Sequence, residues 1–192
     1  GDVPVNPVDL MDTLGRVEKF FARVHEAGAI PLSAGGDHLI TLPIMRAIAR
    51  ARPVGMVHFD AHSDTWDTYF GAPYTHGTPF RRAAEEGLMD LSACLHVGVR
   101  GPLYSRHDLP EDRELGFEIV HADDLDTIGT TGVIEAIHRR IGDRPVYVSV
   151  DVDVLDPAFA PGTGTPEAAG ERVAHAEQVD PHGCRMVVDL PA

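Results

Sequence analysis

Three clusters of acidic and histidine residues, each set just after an extended or strand-forming run, constrain this chain more than any other feature. They are Asp37-His38, then Asp60/His62/Asp64, then Asp151/Asp153. The runs ahead of them are Ala29-Ile30-Pro31-Leu32-Ser33-Ala34, Val54 to Phe59, and Val146-Tyr147-Val148-Ser149-Val150. Elsewhere the apolar period changes to three and four. Leu10, Leu14, Val17, Phe21 and Val24 mark the buried face of an amphipathic helix entered through Asn6-Pro7. A second helix is predicted over Thr41 to Arg50, with Ile44, Ala47 and Ile48 inward and Pro43 tolerated in its first turn. Shorter helices are predicted over Phe80 to Glu86 and Val133 to Arg140, the latter burying Val133, Ile134 and Ile137. Two further strands are predicted at Leu95 to Val99 and Phe117 to His121, while Thr65 to Pro79 and Arg100 to Glu114 read as loops. Strands alternating with helices predict an α/β fold, with a mainly parallel sheet covered on both faces.

The chain's 192 residues suit one domain with a real core. Its 30 acidic against 16 basic side chains give a formal charge of −14. That balance argues against a nucleic-acid partner, which needs clustered Lys and Arg, and suits a small cationic substrate. Cys94 and Cys184 are too few for a disulfide framework, so a reducing, cytoplasmic setting is expected. There is no run of 18 apolar residues, and Gly1 to Pro7 lacks the regions of a signal peptide, so neither membrane insertion nor secretion is expected. The first residue is not Met, which predicts a chain that begins mid-protein or was processed.

In a parallel sheet the carboxyl ends of the strands share one edge, where ligands bind. Clusters far apart in sequence then converge. The i, i+2 spacing puts Asp60, His62 and Asp64 on one side while the backbone stays extended, and does the same for Asp151 and Asp153. Such a set holds two imidazoles and at least four carboxylates, which cannot all stay ionised without cations. Mixed oxygen and imidazole donors without thiolate favour a hard ion such as Mn(II), though Zn, Co and Ni also suit. Two ions and a shared water make a hydrolase. Taken singly, an Asp-X-Asp or Gly-Gly-Asp-His is more often a turn or a cap; three at equivalent positions favour metal. His58 lies inside its strand and reads as a core histidine or one behind the ligands, while His25, His107 and His138 read as surface. Gly162-Thr163-Gly164-Thr165-Pro166 lacks the Lys of a phosphate loop and reads as pocket floor.

As a set, Gly35-Gly36-Asp37-His38, Asp60-Ala61-His62-Ser63-Asp64, His76-Gly77-Thr78-Pro79-Phe80, Ser149 to Pro157 and Ala160 to Pro166 resemble the ureohydrolases, the arginase and agmatinase family, in the family's order. The resemblance implies a three-layer α/β/α fold, incomplete at both ends, with residues 1–170 as the core and 171–192 as a divergent tail. It implies two Mn(II) per chain. One ion falls to His38, Asp60, Asp64 and Asp151, and the other to Asp60, His62, Asp151 and Asp153, with Asp60 and Asp151 bridging. His76 matches the family's proton-shuttling histidine. The implied reaction is hydrolysis of a guanidino group to urea and an amine, in a homo-oligomer. The Thr78 to Ala83 stretch and the Pro161 to Pro166 ending look most like agmatinase. A guanidino acid, of the guanidinobutyrase or proclavaminate amidinohydrolase type, is the close alternative substrate. After Gly170 the resemblance lapses: His175 stands where the family has a guanidinium-binding glutamate.

Other classes compete. A non-catalytic relative would keep the metals as a structural device. A dimetal phosphoesterase would need a Gly-Asn-His-Asp/Glu stretch that this chain lacks. A deacetylase-like relative with one zinc would not need both Asp64 and Asp153.

Overall fold

A computed structural model describes residues 1–170. The expected divergent tail at 171–192, with His175 and Cys184, lies outside the described residues. Four strands, β1 (Val54–Phe59), β2 (Met89–Val99), β3 (Glu118–His121) and β4 (Val146–Val150), form one sheet in the order β3-β2-β1-β4. All pairings are parallel, so every strand delivers its carboxyl end to the same edge.

Period-two alternation splits the sheet residues between two cores. Met56, Cys94 and Tyr147 face α1 (Leu10–Glu26), α2 (Thr41–Ala49) and α3 (Pro79–Glu85), which contribute Leu14, Val17, Phe21, Leu42, Ile44, Met45 and Phe80 to one cluster. Val57, Leu95, Val97 and Val148 face the other way, against Ala136, Ile137 and Ile141 of α5 (Ala122–Ile141). Helices therefore cover both faces of the sheet, and the three-layer α/β/α arrangement follows from the alternation.

Local signals set the helix ends. Asp9 caps α1 by accepting the Asp12 backbone N–H at 3.0 Å. Leu14, Val17 and Phe21 are buried as predicted, but Leu10, the first helical residue, is 48% exposed because it lies beyond the edge of the core. The helix α4 (Asp108–Leu115) occupies part of the stretch read as loop. Its signals were weak to hydropathy but plain to chemistry: acidic Asp108 and Glu111 in the first turn, Pro110 near its start, and Gly116 closing it at φ 112°. The strand β2 begins at Met89 rather than Leu95, and α5 begins at Ala122 rather than Val133, with a break at Gly129 (φ 59°) that obscured its period.

Residues 29–34 form no strand. Pro31 has no N–H for a ladder, and Ile30 and Leu32 are 60% and 71% exposed. Asp37-His38 accordingly follows an irregular segment, and only the other two clusters lie at strand ends.

Candidate metal centre

Asp60 emerges from the end of β1 and is almost wholly buried at 1% exposure. Its Oδ2 accepts from His58 Nε2 at 2.8 Å and its Oδ1 from the His62 backbone N–H at 2.6 Å. Around it the chain does not stay extended. Asp60 and Asp151 each accept the N–H two residues on, Asp151 from Asp153 at 3.0 Å, and the backbone turns at once. Asp64 then reaches back from a left-handed conformation (φ 54°) that non-glycine residues seldom adopt. Convergence is thus achieved by tight turns, not by the extended backbone that the spacing predicted. Capping and clustering coexist in the same carboxylates.

Two imidazoles organise the cluster. His38 Nδ1 lies 2.9 Å from Asp64 Oδ2, 3.2 Å from Asp60 Oδ2 and 3.4 Å from Asp151 Oδ2. His62 Nδ1 lies 3.3 Å from Asp60 Oδ1 and 3.1 Å from Asp153 Oδ2. The six predicted ligands therefore come together, three carboxylates around the first imidazole and two around the second, with Asp60 in both groups. Outer contacts aim the rings. His38 Nε2 meets Ser149 Oγ at 2.9 Å, and His62 Nε2 faces Glu167 Oε1 at 3.6 Å. A ring whose outer nitrogen donates presents its inner nitrogen as a lone pair, the form that binds metal.

The donor chemistry fits metal ions. His38 Nδ1 is buried and, although ringed by three carboxylates, makes no hydrogen bond of acceptable geometry. A buried polar atom without a partner is costly unless something else satisfies it. Donor atoms of His38, His58 and Asp60 lie within 4.8 Å of one another, as do those of Asp60, His62 and Asp153. His58 already spends its Nε2 on Asp60, so it stands behind the cluster, as its place within β1 predicted.

Electrostatics show the same need. Burial, reinforced by the Asp60 charge, pushes the Asp64 carboxyl up to about 7. Burial pushes Asp153 up to about 6, with Asp60 and Asp151 adding repulsion against the His62 hydrogen bond. Burial pulls the His62 imidazole down, but Asp153 and Asp60 outweigh it and carry it up to about 11. Without an ion the carboxylates compete for protons; a divalent cation relieves that competition.

The cluster lies at the base of a cavity of about 720 Å³ that is also lined by Trp66, Tyr69, His76, Tyr104 and Thr163 to Glu167. Residues 163–166 sit where the pocket-floor reading put them. His76 is on the wall, its ring 5.0 Å from that of Tyr69, which stacks on Trp66 at 5.3 Å. The sequence reading put Thr165 in the pocket floor but gave it no role, whereas it donates to Asp153 Oδ2 at 2.8 Å; it missed Glu167. It also missed Arg100, whose guanidinium binds the carbonyls of Asp153, Glu167 and Ala168 at 2.7, 2.8 and 3.0 Å. Arg100 ties the end of β2 to both loops that frame the site. A cation directly after a strand was the available signal.

The family model for arginases, described as "Arginase family", matches residues 1–181. The chain belongs to the arginase family. Among its relatives, a guanidinopropionase of Pseudomonas aeruginosa is 57% identical over 180 residues, covering 93% of this chain and 57% of that protein. A mitochondrial agmatinase of Gallus gallus is 42% identical over 186 residues, covering 96% of this chain and 54% of the relative. Proclavaminate amidino hydrolase from Streptomyces clavuligerus superposes with a TM-score of 0.90 at 35% identity, covering all of this chain and 65% of that one. This arginase-family chain spans about half the length of the curated relatives it matches. Among the described residues, no helix is long and apolar enough to cross a membrane.

Proposed function

We propose that the protein is a two-metal hydrolase that cleaves a short linear guanidino compound to urea and an amine, with Mn(II) as the native metal. The observation that carries this reading is Asp60, whose two oxygens face two different imidazoles, His38 and His62. That is the arrangement wanted of a carboxylate shared between two ions. In this reading His38, Asp60, Asp64 and Asp151 hold one ion, and Asp60, His62, Asp151 and Asp153 the other. When bound, the pair supplies Lewis acidity and makes water nucleophilic near neutral pH.

The chain's own residues do the rest. Ser149 bonds the outer nitrogen of His38, Glu167 lies beside that of His62, and Thr165 holds Asp153. His76, on the cavity wall, carries a proton between solvent and the departing amine. The carboxylate-rich base attracts a guanidinium, and Trp66, Tyr69 and Tyr104 line the wall beside its apolar tail.

Agmatine is the substrate that the sequence motifs favour. One observation favours a guanidino acid instead: the 57% identity to a guanidinopropionase, against 42% to an agmatinase. The reading includes a cytoplasmic setting and a homo-oligomer. It also takes residues 1–170 as the catalytic core. Urea release from agmatine, 3-guanidinopropionate, 4-guanidinobutyrate and arginine, with added Mn(II) and with chelator, tests it. Two bound metals without turnover of any substrate would favour the non-catalytic relative.

A further inference from the structure

Behind the carboxylate cluster lies a polar pair that metal ligation leaves unused. His58 and His96 stand opposite each other on the neighbouring strands β1 and β2, and both are fully buried. Phe80 packs on them with ring centroids at 4.4 and 6.0 Å, and Phe117 covers His96 at 4.8 Å. Their Nδ1 atoms are 2.8 Å apart, His58 Nε2 is 2.8 Å from Asp60 Oδ2, and His96 Nε2 has no partner. Two nitrogens 2.8 Å apart share a single hydrogen, so at that contact one ring donates and the other accepts.

Those contacts fix the protons. A carboxylate can only accept, so His58 carries its hydrogen on Nε2 and has a lone pair on Nδ1. The short contact then needs the His96 hydrogen on Nδ1. His96 Nε2 is left as an unmet acceptor, which folded proteins tolerate better than an orphaned N–H. The reverse order would set a lone pair against the carboxylate and bury an unpaired N–H.

We propose that His96 and His58 form a positioning chain, His96 to His58 to Asp60, that orients the Asp60 carboxylate so that each oxygen meets its own metal. The inference rests on the reading of Asp60 as the shared ligand. Oδ1 is tied by the His62 backbone N–H and Oδ2 by His58, so the carboxylate cannot rotate. A neutral dyad does this without cancelling the negative charge that the metals need. A lysine or arginine in its place would hold Asp60 equally well and weaken cation binding.

The test uses the protein labelled with ¹⁵N-histidine. Long-range ¹H–¹⁵N correlation on the metal-free form reads the His58 tautomer, and calorimetry with Mn(II) gives affinity and stoichiometry. His96→Asn keeps an N–H near the Nδ1 position, whereas His96→Phe fills the volume without a donor. We expect the Nε2–H tautomer in the wild type, Mn(II) binding about 10- to 100-fold weaker in His96→Phe, and near-wild-type binding in His96→Asn. Should the Phe variant not fold, His58→Gln against His58→Leu repeats the comparison at the other ring. A wild-type His58 protonated on Nδ1, or full Mn(II) affinity in the donor-less variants, overturns the proposal. A wild type with the Nε2–H tautomer that binds fewer than two Mn(II) removes the shared-ligand reading and the positioning role with it, so the two failures are told apart.

Discussion

His38 and His62 turn the same ring nitrogen, Nδ1, toward opposite oxygens of the Asp60 carboxylate, at 3.2 and 3.3 Å. Each ring is backed by a different kind of group, Ser149 hydrogen-bonded to His38 at 2.9 Å and Glu167 3.6 Å from His62. The two imidazoles are therefore backed by separate contacts although both meet Asp60.

Removing a proposed bridge should dismantle both positions. Asp60→Ala and Asp151→Ala are expected to lower Mn(II) stoichiometry from two per chain and abolish urea release. Metal analysis after gel filtration, with a urea assay, checks this; full occupancy in either variant would show that the carboxylate is not shared.

Loss of the outer contacts should weaken without abolishing. Ser149→Ala and Glu167→Ala are each expected to reduce Mn(II) affinity, by about 10- to 100-fold for Ser149→Ala, because each removes the group behind the ring. Calorimetric titration decides it, and Glu167→Ala should show the smaller loss because its contact is longer, at 3.6 Å against 2.9 Å.

His76 should act on turnover and not on metal. In His76→Asn, two Mn(II) should remain bound while kcat falls by about 10²- to 10⁴-fold, the usual contribution of a positioned proton carrier. Unchanged kcat would remove His76 from the mechanism.

A methyl group should be enough to disturb the second imidazole. A Cβ at Gly101 would come within 2.7 Å of His62 Nε2 and 3.1 Å of the Ala61 carbonyl. Gly101→Ala should therefore push His62 off Asp153 and weaken Mn(II) binding more than it lowers the melting temperature of the metal-free protein. Comparing the two measurements tests the assignment.

Asp112 should control part of the pH dependence of stability. It is 2% exposed, Thr65 donates to it, and burial pushes its carboxyl up to about 6. A carboxyl raised above its unfolded value favours the fold while protonated. That stability is fully present below about pH 4 and is lost as pH rises through about 6. Asp112→Asn should flatten a decline on the order of 3 kcal/mol across that window. Denaturant unfolding at several pH values, with Mn(II) saturating, measures the difference from wild type; equal slopes would refute it.

Much of this was legible in the chain because strands leave an imprint with a short period. Val54–Phe59 and Val146–Val150 were readable to the residue, since both are largely apolar and buried along nearly their whole length, although β4 is an edge strand of the described sheet. Five of the six grouped donors followed, because the clusters at Asp60 and Asp151 directly continue strands, whereas His38 follows an irregular segment. What escaped had a physical reason. The acids and prolines that make α4 a helix give it almost no apolar face, and Gly129 breaks the period of α5. Asp64 converges through a backbone angle that no residue spacing encodes. His96 gains its meaning only from the register that sets it beside His58, a relation between strands that a single strand does not reveal.

The pairing of Phe59 with Val150 has a consequence for the order of events when the protein is made. Asp151 and Asp153 leave the ribosome long after Asp60 does, so the cluster stays incomplete until β4 docks beside β1. Any ion captured afterwards staples together lengths of polypeptide that began far apart, and unfolding must first expel it. Metal supply would then govern how long the molecule survives in use as well as how fast it works.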